Sequence, residues 1–366
     1  MKLSSAFGDP IVVKRLIEKI HAAATTPVKF MEVCGTHTVA IAKNGLRDVM
    51  PETITLLSGP GCPVCVTANR DIDMAIEMGR QPGVILTTFG DMIKVPGSRS
   101  SLQKEKASGR ADIRVVYSPL DALATADENP DKLVVFLGVG FETTAPAVAS
   151  TIQEAVSRRL KNFAVLPMHK TVPIALGALA NDPEVQINGF ILPGHVSTII
   201  GLEPYRFLAE DYRIPSVIAG FEPVDVLQAI YMLAKQVADG RADVEIAYSR
   251  GVMPEGNPTA LAKIATVFEP IDSEWRGIGV IPGTGLGIRE HYAAFDALTR
   301  LPVTPEPPRE ILGCQCGDVL RGITLPFECK LFGKGCTPEH PIGPCMVSNE
   351  GSCAAYYRYT DYGRGE

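Results

Sequence analysis

Residues 28–65 read VKFMEVCGTHTVAIAKNGLRDVMPETITLLSGPGCPVC, and this stretch decides the predicted fold. It contains two short apolar runs, Val28–Val33 and Thr53–Leu57, whose β-branched residues are typical of buried strands. Each run is followed by a loop that carries cysteine. Because α/β proteins assemble their sites where parallel strands end, these two loops are the first candidates for function.

The alternation of strand and helix patterns continues to about residue 250. Amphipathic helices, with apolar residues three and four apart, are predicted at Ile11–Ala24, Arg70–Met78, Ala145–Leu160 and Val224–Ala238. Further strands are predicted at Val84–Thr88, Ile113–Tyr117, Leu133–Leu137, Phe163–Leu166, Gly189–Leu192, Ser216–Ala219 and Val244–Tyr248. Short strands that alternate with helices predict an α/β fold with parallel sheets.

An ungapped shift of 133 residues aligns part of the chain with itself. It matches Phe30 with Phe163 and the dipeptide Pro60-Gly61 with Pro193-Gly194. We infer an internal duplication, with shared α/β composition as the alternative. The predicted organisation is an N-terminal helix within residues 1–27 that packs on another domain, an α/β domain over 28–130 and a second, similar α/β domain over 131–300.

The composition changes near residue 301. Leu301–Arg309, LPVTPEPPR, holds four prolines and can neither continue a helix nor form a central strand. Residues 301–366 are rich in glycine, proline and cysteine and have little periodic apolar sequence. We therefore predict a small cysteine-rich C-terminal domain that depends on an inorganic group for its stability.

The chain of 366 residues is 46% hydrophobic and 21% charged, which is average for a folded globular protein and disfavours disorder. Its net charge of −6 and the lack of a dense basic run argue against nucleic-acid binding. No apolar run approaches the ~18 residues of a membrane span, and the N-terminus has no signal-peptide pattern. We expect a cytoplasmic protein without membrane association.

The nine cysteines form two groups with none between them. Three lie in the first fifth of the chain, and six lie near its end: Cys34, Cys62 and Cys65, then Cys314, Cys316, Cys329, Cys336, Cys345 and Cys353. The odd count and the expected reducing compartment argue against a disulfide framework. Such clustering indicates metal or thiol chemistry.

Cys62 and Cys65 form a CxxC motif between a predicted strand and a helix expected from about Ala68. The N-terminus of a helix stabilises a thiolate, so we predict a lowered cysteine pKa and ready oxidation to a disulfide. The alternative is that the two cysteines of a single CxxC motif form half of a zinc site.

Cys34 and His37 lie in a CGTH loop directly after the first strand. Neighbouring parallel strands are ~4.8 Å apart, so Cys34, Cys62 and Cys65 converge on one crevice if their strands are adjacent. Three thiolates and an imidazole suit a soft or borderline metal such as Fe(II) or zinc. For His37, a role as ligand or proton donor and a purely structural role both remain open.

The six C-terminal thiols exceed the needs of one tetrahedral site. Structural zinc often uses paired CxxC knuckles, which are absent from this sequence, whereas a 4Fe-4S cluster takes four cysteines at irregular spacing. An iron–sulfur cluster is therefore favoured over zinc, and two thiols are left for a redox disulfide beside it.

Three other features are weaker candidates. Gly138–Thr144 follows a strand and opens a helix, so its amides could hold an anion, but the full dinucleotide-binding fingerprint is missing. Pro282–Gly287 is glycine-rich and is expected to be a turn. His195 follows a strand and either lines a second crevice or is structural.

Several segments carry a family resemblance. Over essentially its whole length the chain resembles the HypD family of nickel–iron hydrogenase maturation proteins, in the motifs EVCGTHT (32–38), GPGCPVC (59–65), TFGDM (88–92), GFETTAP (140–146), PGHVS (193–197) and GPCMVS (343–348). The cysteine-bearing motifs show no departure from the family pattern.

The resemblance implies a scaffold that builds the Fe(CN)2CO group of the hydrogenase together with a small HypC-type chaperone. Cys34 would bind the Fe(II) that receives the cyanide and carbonyl ligands, and cyanide would arrive as a thiocyanate on a HypE-type partner. Releasing cyanide needs two electrons, which Cys62 and Cys65 supply on forming a disulfide. The expected role is a redox-active scaffold rather than a conventional turnover enzyme.

The family's C-terminal region is similar to the cluster site of ferredoxin-thioredoxin reductase, where four cysteines hold a 4Fe-4S cluster beside a disulfide. This likeness implies two sets of residues, cluster ligands and an extra redox pair: Cys314, Cys329, Cys336 and Cys353, then Cys316 and Cys345. The choices between Cys314 and Cys316 and between Cys345 and Cys353 stay open.

Two other functions compete with the scaffold. One is a cluster-linked disulfide reductase whose CxxC motif acts on a protein partner, and the other is a zinc-stabilised interaction module. Only the scaffold predicts labile iron beyond four atoms per chain together with infrared bands of cyanide and carbonyl. A colourless, zinc-containing protein would favour the interaction module.

Overall fold

The computed structural model of the chain describes residues 10–309 and 312–363. Its strands, in chain order, are β1 Val28–Glu32, β2 Ile54–Ser58, β3 Val84–Thr88, β4 Asp112–Val115, β5 Leu133–Gly140, β6 Phe163–His169, β7 Gly189–Pro193, β8 Ser216–Ala219, β9 Val244–Ile246, β10 Phe268–Trp275 and β11 Gly279–Ile288. The nine strands predicted from the sequence correspond to β1–β9, with ends that differ by a few residues.

Two fully parallel sheets organise these strands. Sheet 1 has the order β2-β1-β7-β8-β9, and sheet 2 has the order β4-β3-β5-β6. The remaining two strands, β10 and β11, form a separate antiparallel hairpin. The predicted α/β class with two parallel sheets and a cysteine-rich C-terminal region is confirmed.

Helices cover the sheets and connect the strands. They are α1 Pro10–Ala23, α2 Gly35–Lys43, α3 Pro63–Val66, α4 Asn69–Gly79, α5 Leu102–Ala107, α6 Pro119–Glu128, α7 Ala145–Ser157, α8 Val172–Asn181, α9 Gly194–Ile200, α10 Arg206–Glu210, α11 Pro223–Ala238, α12 Pro258–Val267, α13 Ala297–Arg300, α14 Cys316–Leu320, α15 Pro344–Val347 and α16 Ser352–Tyr359. Within the described residues, no helix is both long and apolar enough to cross a membrane.

The sheets do not follow the predicted boundary between residues 130 and 131. The first two strands, β1 and β2, belong to sheet 1, and the next four, β3–β6, form all of sheet 2. The strands β7, β8 and β9 then complete sheet 1. The 133-residue shift carries β1–β4 onto β6–β9 in chain order, yet β6 belongs to sheet 2 and β7 to sheet 1. Periodicity shows that a strand is buried but not which strand lies beside it, so the partition could not be read from the sequence.

The N-terminal helix α1 packs on α11. Leu16 and Ile20 of α1 are buried in one cluster with Val226, Ile230 and Leu233 of α11. The apolar stripe predicted for Ile11–Ala24 is therefore the packing face of this helix. Residues 1–9 of the predicted N-terminal segment lie outside the described residues.

The hairpin β10–β11 corrects one expectation, because Pro282–Gly287 is not a turn but part of β11. Glycine is needed there: a Cβ at Gly285 or Gly287 would lie 2.9 or 2.8 Å from the Ile271 side chain. Trp275 ends β10, is 1% exposed and forms a β-bridge with Thr67. The hairpin thus presses on the segment that directly follows the CxxC motif.

The C-terminal region has little regular structure. Residues 302–309 form neither helix nor strand, and the helices after Cys314 have at most eight residues. A small apolar cluster that includes Phe332, Met346 and Tyr356 forms its core. The Arg47 guanidinium lies 4.5 Å from the ring centroid of Tyr356, so this region rests directly on the segment after α2.

Candidate functional site

Cys34 lies between β1 and α2, at the carboxyl edge of sheet 1. Strands β1 and β2 are adjacent, as the predicted crevice requires. The Gly35 N–H donates to the Gly61 carbonyl over 3.0 Å, and a Cβ at Gly61 would lie only 2.1 Å from the Cys34 nitrogen. The CGTH and CPVC loops are therefore in direct backbone contact, which glycine at position 61 permits.

The Cys34 thiol is nearly enclosed, with 7% of the residue exposed. The backbone N–H of Cys34 donates to Glu32 Oε2 over 3.1 Å, and the Thr38 hydroxyl donates to Glu32 Oε1 over 2.5 Å. Burial raises the pKa of Cys34 to about 12, and the negative charges of Glu350 and Glu32 act in the same direction. The thiol is therefore protonated at neutral pH, so a cation that binds its sulfur must displace a proton.

The CxxC motif is formed by the first turn of a very short helix. Cys62 caps α3, its sulfur accepting the Cys65 N–H over 3.3 Å. Cys65 is fully buried, and burial raises its pKa well above the ordinary value. The predicted lowering of the cysteine pKa is wrong for Cys65, because desolvation of a thiolate outweighs the dipole of a four-residue helix.

Cys65 joins the two groups of cysteines. The Cys65 thiol donates to the Pro344 carbonyl oxygen over 3.9 Å, and Cys65 is buried in one apolar cluster with Cys345, the residue after Pro344. The same cluster includes Cys316, and Cys353 packs against it. Cysteines from the two sequence groups therefore pack together, from the CxxC motif into the C-terminal region.

Five of the six C-terminal cysteines line one small cavity. The lining also includes apolar side chains such as Val319, Leu331 and Met346, and the thiols are those of Cys314, Cys316, Cys329, Cys336 and Cys353. Gly343 keeps the cavity open on one side, since a Cβ there would lie 2.6 Å from the Cys314 sulfur. A thiol-only donor set in apolar surroundings fits the chemistry of an iron–sulfur cluster.

No three His, Cys, Asp or Glu side chains within residues 10–309 and 312–363 already converge closely enough to hold a metal ion. All nine cysteines are free thiols. Joint coordination of one iron by Cys34, Cys62 and Cys65 would therefore need side-chain movement, and it stays a prediction.

His37 is turned away from solvent. Its Nε2 lies 2.8 Å from the Gly220 carbonyl oxygen, its ring stacks on Phe221, and burial lowers its pKa to about 4. His195 stacks on Phe221 with ring centroids 3.7 Å apart, and it is exposed at the start of α9. The two histidines and Phe221 form one stack beside the Cys34 loop, in which His37 is buried, Phe221 is partly exposed and His195 is exposed.

The Gly138–Thr144 segment, considered as an anion site, is filled by its own side chains. A Cβ at Gly140 would lie 1.8 Å from the Thr144 hydroxyl oxygen. Glu142 is buried, its Oε1 accepts the Val172 N–H over 2.9 Å, and burial raises its pKa to about 7. This loop packs on the hairpin through the stacked rings of Phe141 and Trp275.

Sequence reasoning missed Glu350 and Tyr205. The Thr36 hydroxyl donates to Glu350 Oε1 over 2.7 Å, which places a C-terminal carboxylate on the CGTH loop. The position of Glu350 between Cys345 and Cys353 was a usable signal. Tyr205 is fully buried, and its hydroxyl lies 3.5 Å from the Ser197 hydroxyl, but no motif marked it.

Comparison with known proteins gives a consistent result. A family model described as "HypD: Hydrogenase formation hypA family" matches residues 11–360. The chain is 49% identical to hydrogenase maturation factor HypD of Rhodobacter capsulatus, over 98% of both chains. It is 46% identical to a putative hydrogenase expression/formation protein of Methanocaldococcus jannaschii, over 96% of this chain and 98% of the other.

These matches span nearly the entire length, including both cysteine groups. The identities are far above the level at which a shared fold alone would explain them. The chain belongs to the HypD family of hydrogenase maturation factors.

Proposed function

We propose that the chain is a redox-active scaffold on which, together with a small HypC-type chaperone, the Fe(CN)2CO group of a nickel–iron hydrogenase is assembled. The observation that carries this proposal is the packing of Cys65 against the Pro344 carbonyl, in one buried cluster with Cys345 and Cys316. It places a dithiol between the Cys34 loop and the C-terminal cysteines, which is where an electron supply for chemistry at Cys34 is needed.

Iron is the cargo of this scaffold, and Cys34 is its proposed ligand. The Cys34 thiol is enclosed beside two carboxylates, Glu32 and Glu350, whose charges favour a cation there. Cys62 and Cys65 are proposed as further ligands at stages when they are reduced. His37 is proposed as a further ligand or as a proton donor, because its Nε2 is engaged by Gly220 and its Nδ1 has no hydrogen-bond partner within the described part of the chain.

Cyanide transfer from a HypE-type thiocyanate needs two electrons and balances with one dithiol. The thiocyanate and two cysteine thiols give the partner's thiol, one hydrogen cyanide and one Cys62–Cys65 disulfide. The sulfur–cyanide bond breaks, the sulfur–sulfur bond forms, and both thiol protons are retained by the products. Cyanide then binds the iron with loss of its proton. The short Cys62–Cys65 turn is suited to closing such a disulfide.

The C-terminal cysteines are proposed to hold a 4Fe-4S cluster. Its ligands would be Cys314, Cys329, Cys336 and Cys353, all of which line the same cavity. Cys316 and Cys345 would form the adjacent redox pair, which is supported by their burial in one cluster with Cys65. A cluster held there would pass single electrons from an external one-electron donor to the two thiol pairs. Cys316 also lines the cavity, so it is the alternative to Cys314 as ligand.

The test uses anaerobically reduced full-length protein and a HypE-type partner carrying the thiocyanate. We expect about one equivalent of cyanide released per Cys62–Cys65 disulfide formed, as seen by mass spectrometry of the intact peptides. The Cys65→Ser variant should release none, whereas Cys314→Ser, which does not touch the CxxC turn, should still complete one turnover. Cyanide release without oxidation of Cys62 and Cys65 would contradict the proposal.

The packing of Cys65 with Cys345 also fits the rival, a cluster-linked disulfide reductase. The amount of iron bound beyond the cluster distinguishes the two functions. Reductase activity on a protein disulfide, with no iron beyond the cluster after expression with the maturation partners, would favour the rival.

A further inference from the structure

Glu350 reaches the Cys34 loop from the C-terminal region. Its Oε1 accepts the Thr36 hydroxyl over 2.7 Å, and its charge acts on both the Cys34 thiol and the exposed imidazole of His195. A single carboxylate therefore contacts the loop that carries the reacting thiol and also acts on the exposed His195.

Two glycines fix the position of this carboxylate. A Cβ at Gly35 would lie 2.5 Å from the Glu350 Cβ and 2.9 Å from its carbonyl oxygen, so the CGTH loop lies directly against Glu350. A Cβ at Gly351 would lie 2.2 Å from the Cys345 carbonyl oxygen. The turn from Cys345 to Gly351 is thus closed on itself and cannot carry Glu350 away from the loop without distorting.

The charge of Glu350 is not cancelled locally. Its one side-chain partner is the neutral Thr36 hydroxyl, and no salt bridge to Glu350 occurs in the part of the chain that the structure describes. The nearby His195 has its pKa lowered by burial and is neutral at pH 7. An uncompensated carboxylate in partly buried surroundings produces a stronger local potential than the same group in water.

We propose that Glu350 is a specificity-determining residue at the Cys34 site, where its fixed carboxylate favours the approach of cations and opposes that of anions. The consequence is selection of a divalent metal cation over free anions at this site. This inference rests on the proposed role of Cys34 as the iron ligand, but its test needs neither iron nor hydrogenase.

The test compares two thiol reagents of similar size and opposite charge. The trimethylammonium-ethyl and sulfonatoethyl methanethiosulfonates each form a mixed disulfide with a cysteine thiolate and release methanesulfinate. Trypsin isolates Cys34 in the peptide Phe30–Lys43, which contains no other cysteine, so non-reducing mass spectrometry reads its modification alone. Each rate is divided by the rate with free cysteine to remove intrinsic differences between the reagents.

In wild-type protein we expect the cationic reagent to be favoured at Cys34. Glu350→Gln keeps an oxygen to accept the Thr36 hydroxyl but removes the charge, and it should lower the cation-to-anion ratio roughly tenfold, since one unit charge a few ångströms away affects both reagents. Glu350→Asp should retain the preference. Glu339→Gln, which removes an exposed carboxylate of the same region, should leave the ratio unchanged.

Two results would overturn the inference. One is an unchanged ratio in Glu350→Gln, and the other is an equal fall in Glu339→Gln. If Glu350→Gln does not fold, equal normalised rates for the two reagents in wild-type protein would still overturn the inference, because they would exclude an effective negative charge at Cys34. A charge effect without any iron-bound cyanide in the assembled complex would leave this inference standing and remove the scaffold function instead.

Discussion

Replacing Glu142 with glutamine should change how stability depends on pH. Glu142 belongs to the loop between β5 and α7 and its side chain is buried: its Oε1 accepts the Val172 N–H over 2.9 Å, and its Oε2 has no partner among the described residues. Glutamine has nearly the same shape and keeps an oxygen for the Val172 N–H. The substitution therefore removes the ionisable proton and little else.

The magnitude follows from the pKa, which burial raises from 4.5 to about 7 in the folded protein. Below the unfolded pKa both states hold the proton and the carboxyl costs nothing. As the pH rises towards 7, the unfolded chain ionises first, so wild-type protein loses stability until the folded pKa is passed. At 1.36 kcal/mol per pKa unit, this loss is on the order of 3 kcal/mol.

Other buried groups act over the same pH range and are removed by comparing the two proteins at each pH. Glu32, whose pKa burial raises to about 7, adds a loss of stability with rising pH. His37 and His169, whose pKa values burial lowers to about 4 and about 3, add a gain up to their unfolded pKa near 6.5. These contributions are common to wild type and variant, so the difference between them isolates Glu142.

The assay is urea unfolding of reduced full-length protein under anaerobic conditions, at pH 4.5, 6, 7 and 8. We expect Glu142→Gln to match wild type at pH 4.5 and to exceed it by roughly 3 kcal/mol at pH 8. A difference that stays constant across this range would show that Glu142 is not held in its neutral form, and it would refute the role of burial in setting its pKa.

Three further predictions concern the cysteine loops. Cys34→Ala should abolish the infrared bands of iron-bound cyanide and carbonyl but keep the brown absorbance of a cluster. Loss of that absorbance would show that Cys34 is wrongly assigned to a centre separate from the cluster. Cys329→Ala should lose cluster iron and lower the melting temperature, because a missing ligand weakens the group that holds the C-terminal region, and unchanged iron and melting would exclude Cys329 as a ligand. Gly61→Ala should destabilise the protein by about 1–3 kcal/mol, since its Cβ would lie within 2.4 Å of three backbone atoms of Val33 and Cys34. Urea unfolding measures the Gly61→Ala effect, and wild-type stability in that variant would show that the two loops are not in contact.

Much of the architecture was accessible from the sequence because local patterns encode it. β-branched runs located β1–β9, and the periodic stripe of Ile11–Ala24 gave the packing face of α1. The adjacency of β1 and β2 brought the CGTH and CPVC loops together as expected.

The errors arose where distant parts of the chain meet. Nothing local in β6 or β7 indicates that they join different sheets. Gly285 and Gly287 suggested a turn, although they serve a strand that presses on Ile271. The burial of Cys65, which reverses the expected direction of its pKa, comes from side chains far along the chain, such as Trp275 and Cys345.

The candidate site shows the same division between local and distant information. The motifs identified Cys34, Cys62 and Cys65, but the packing of Cys65 with Cys345 and the contact of Thr36 with Glu350 exist only once the C-terminal region packs on sheet 1. Spacing along the chain carries no signal for such contacts. They are the part of the site that required the structure.

The scaffold function is tested most directly by infrared spectroscopy of protein purified anaerobically after co-expression with HypC-type and HypE-type partners, with iron and sulfide assayed in the same sample. The account predicts cyanide and carbonyl bands in the region of roughly 1900–2150 wavenumbers, together with about four sulfides per chain and iron in excess of sulfide. Cluster iron and sulfide without those bands, in a sample where partner binding is verified, would contradict it.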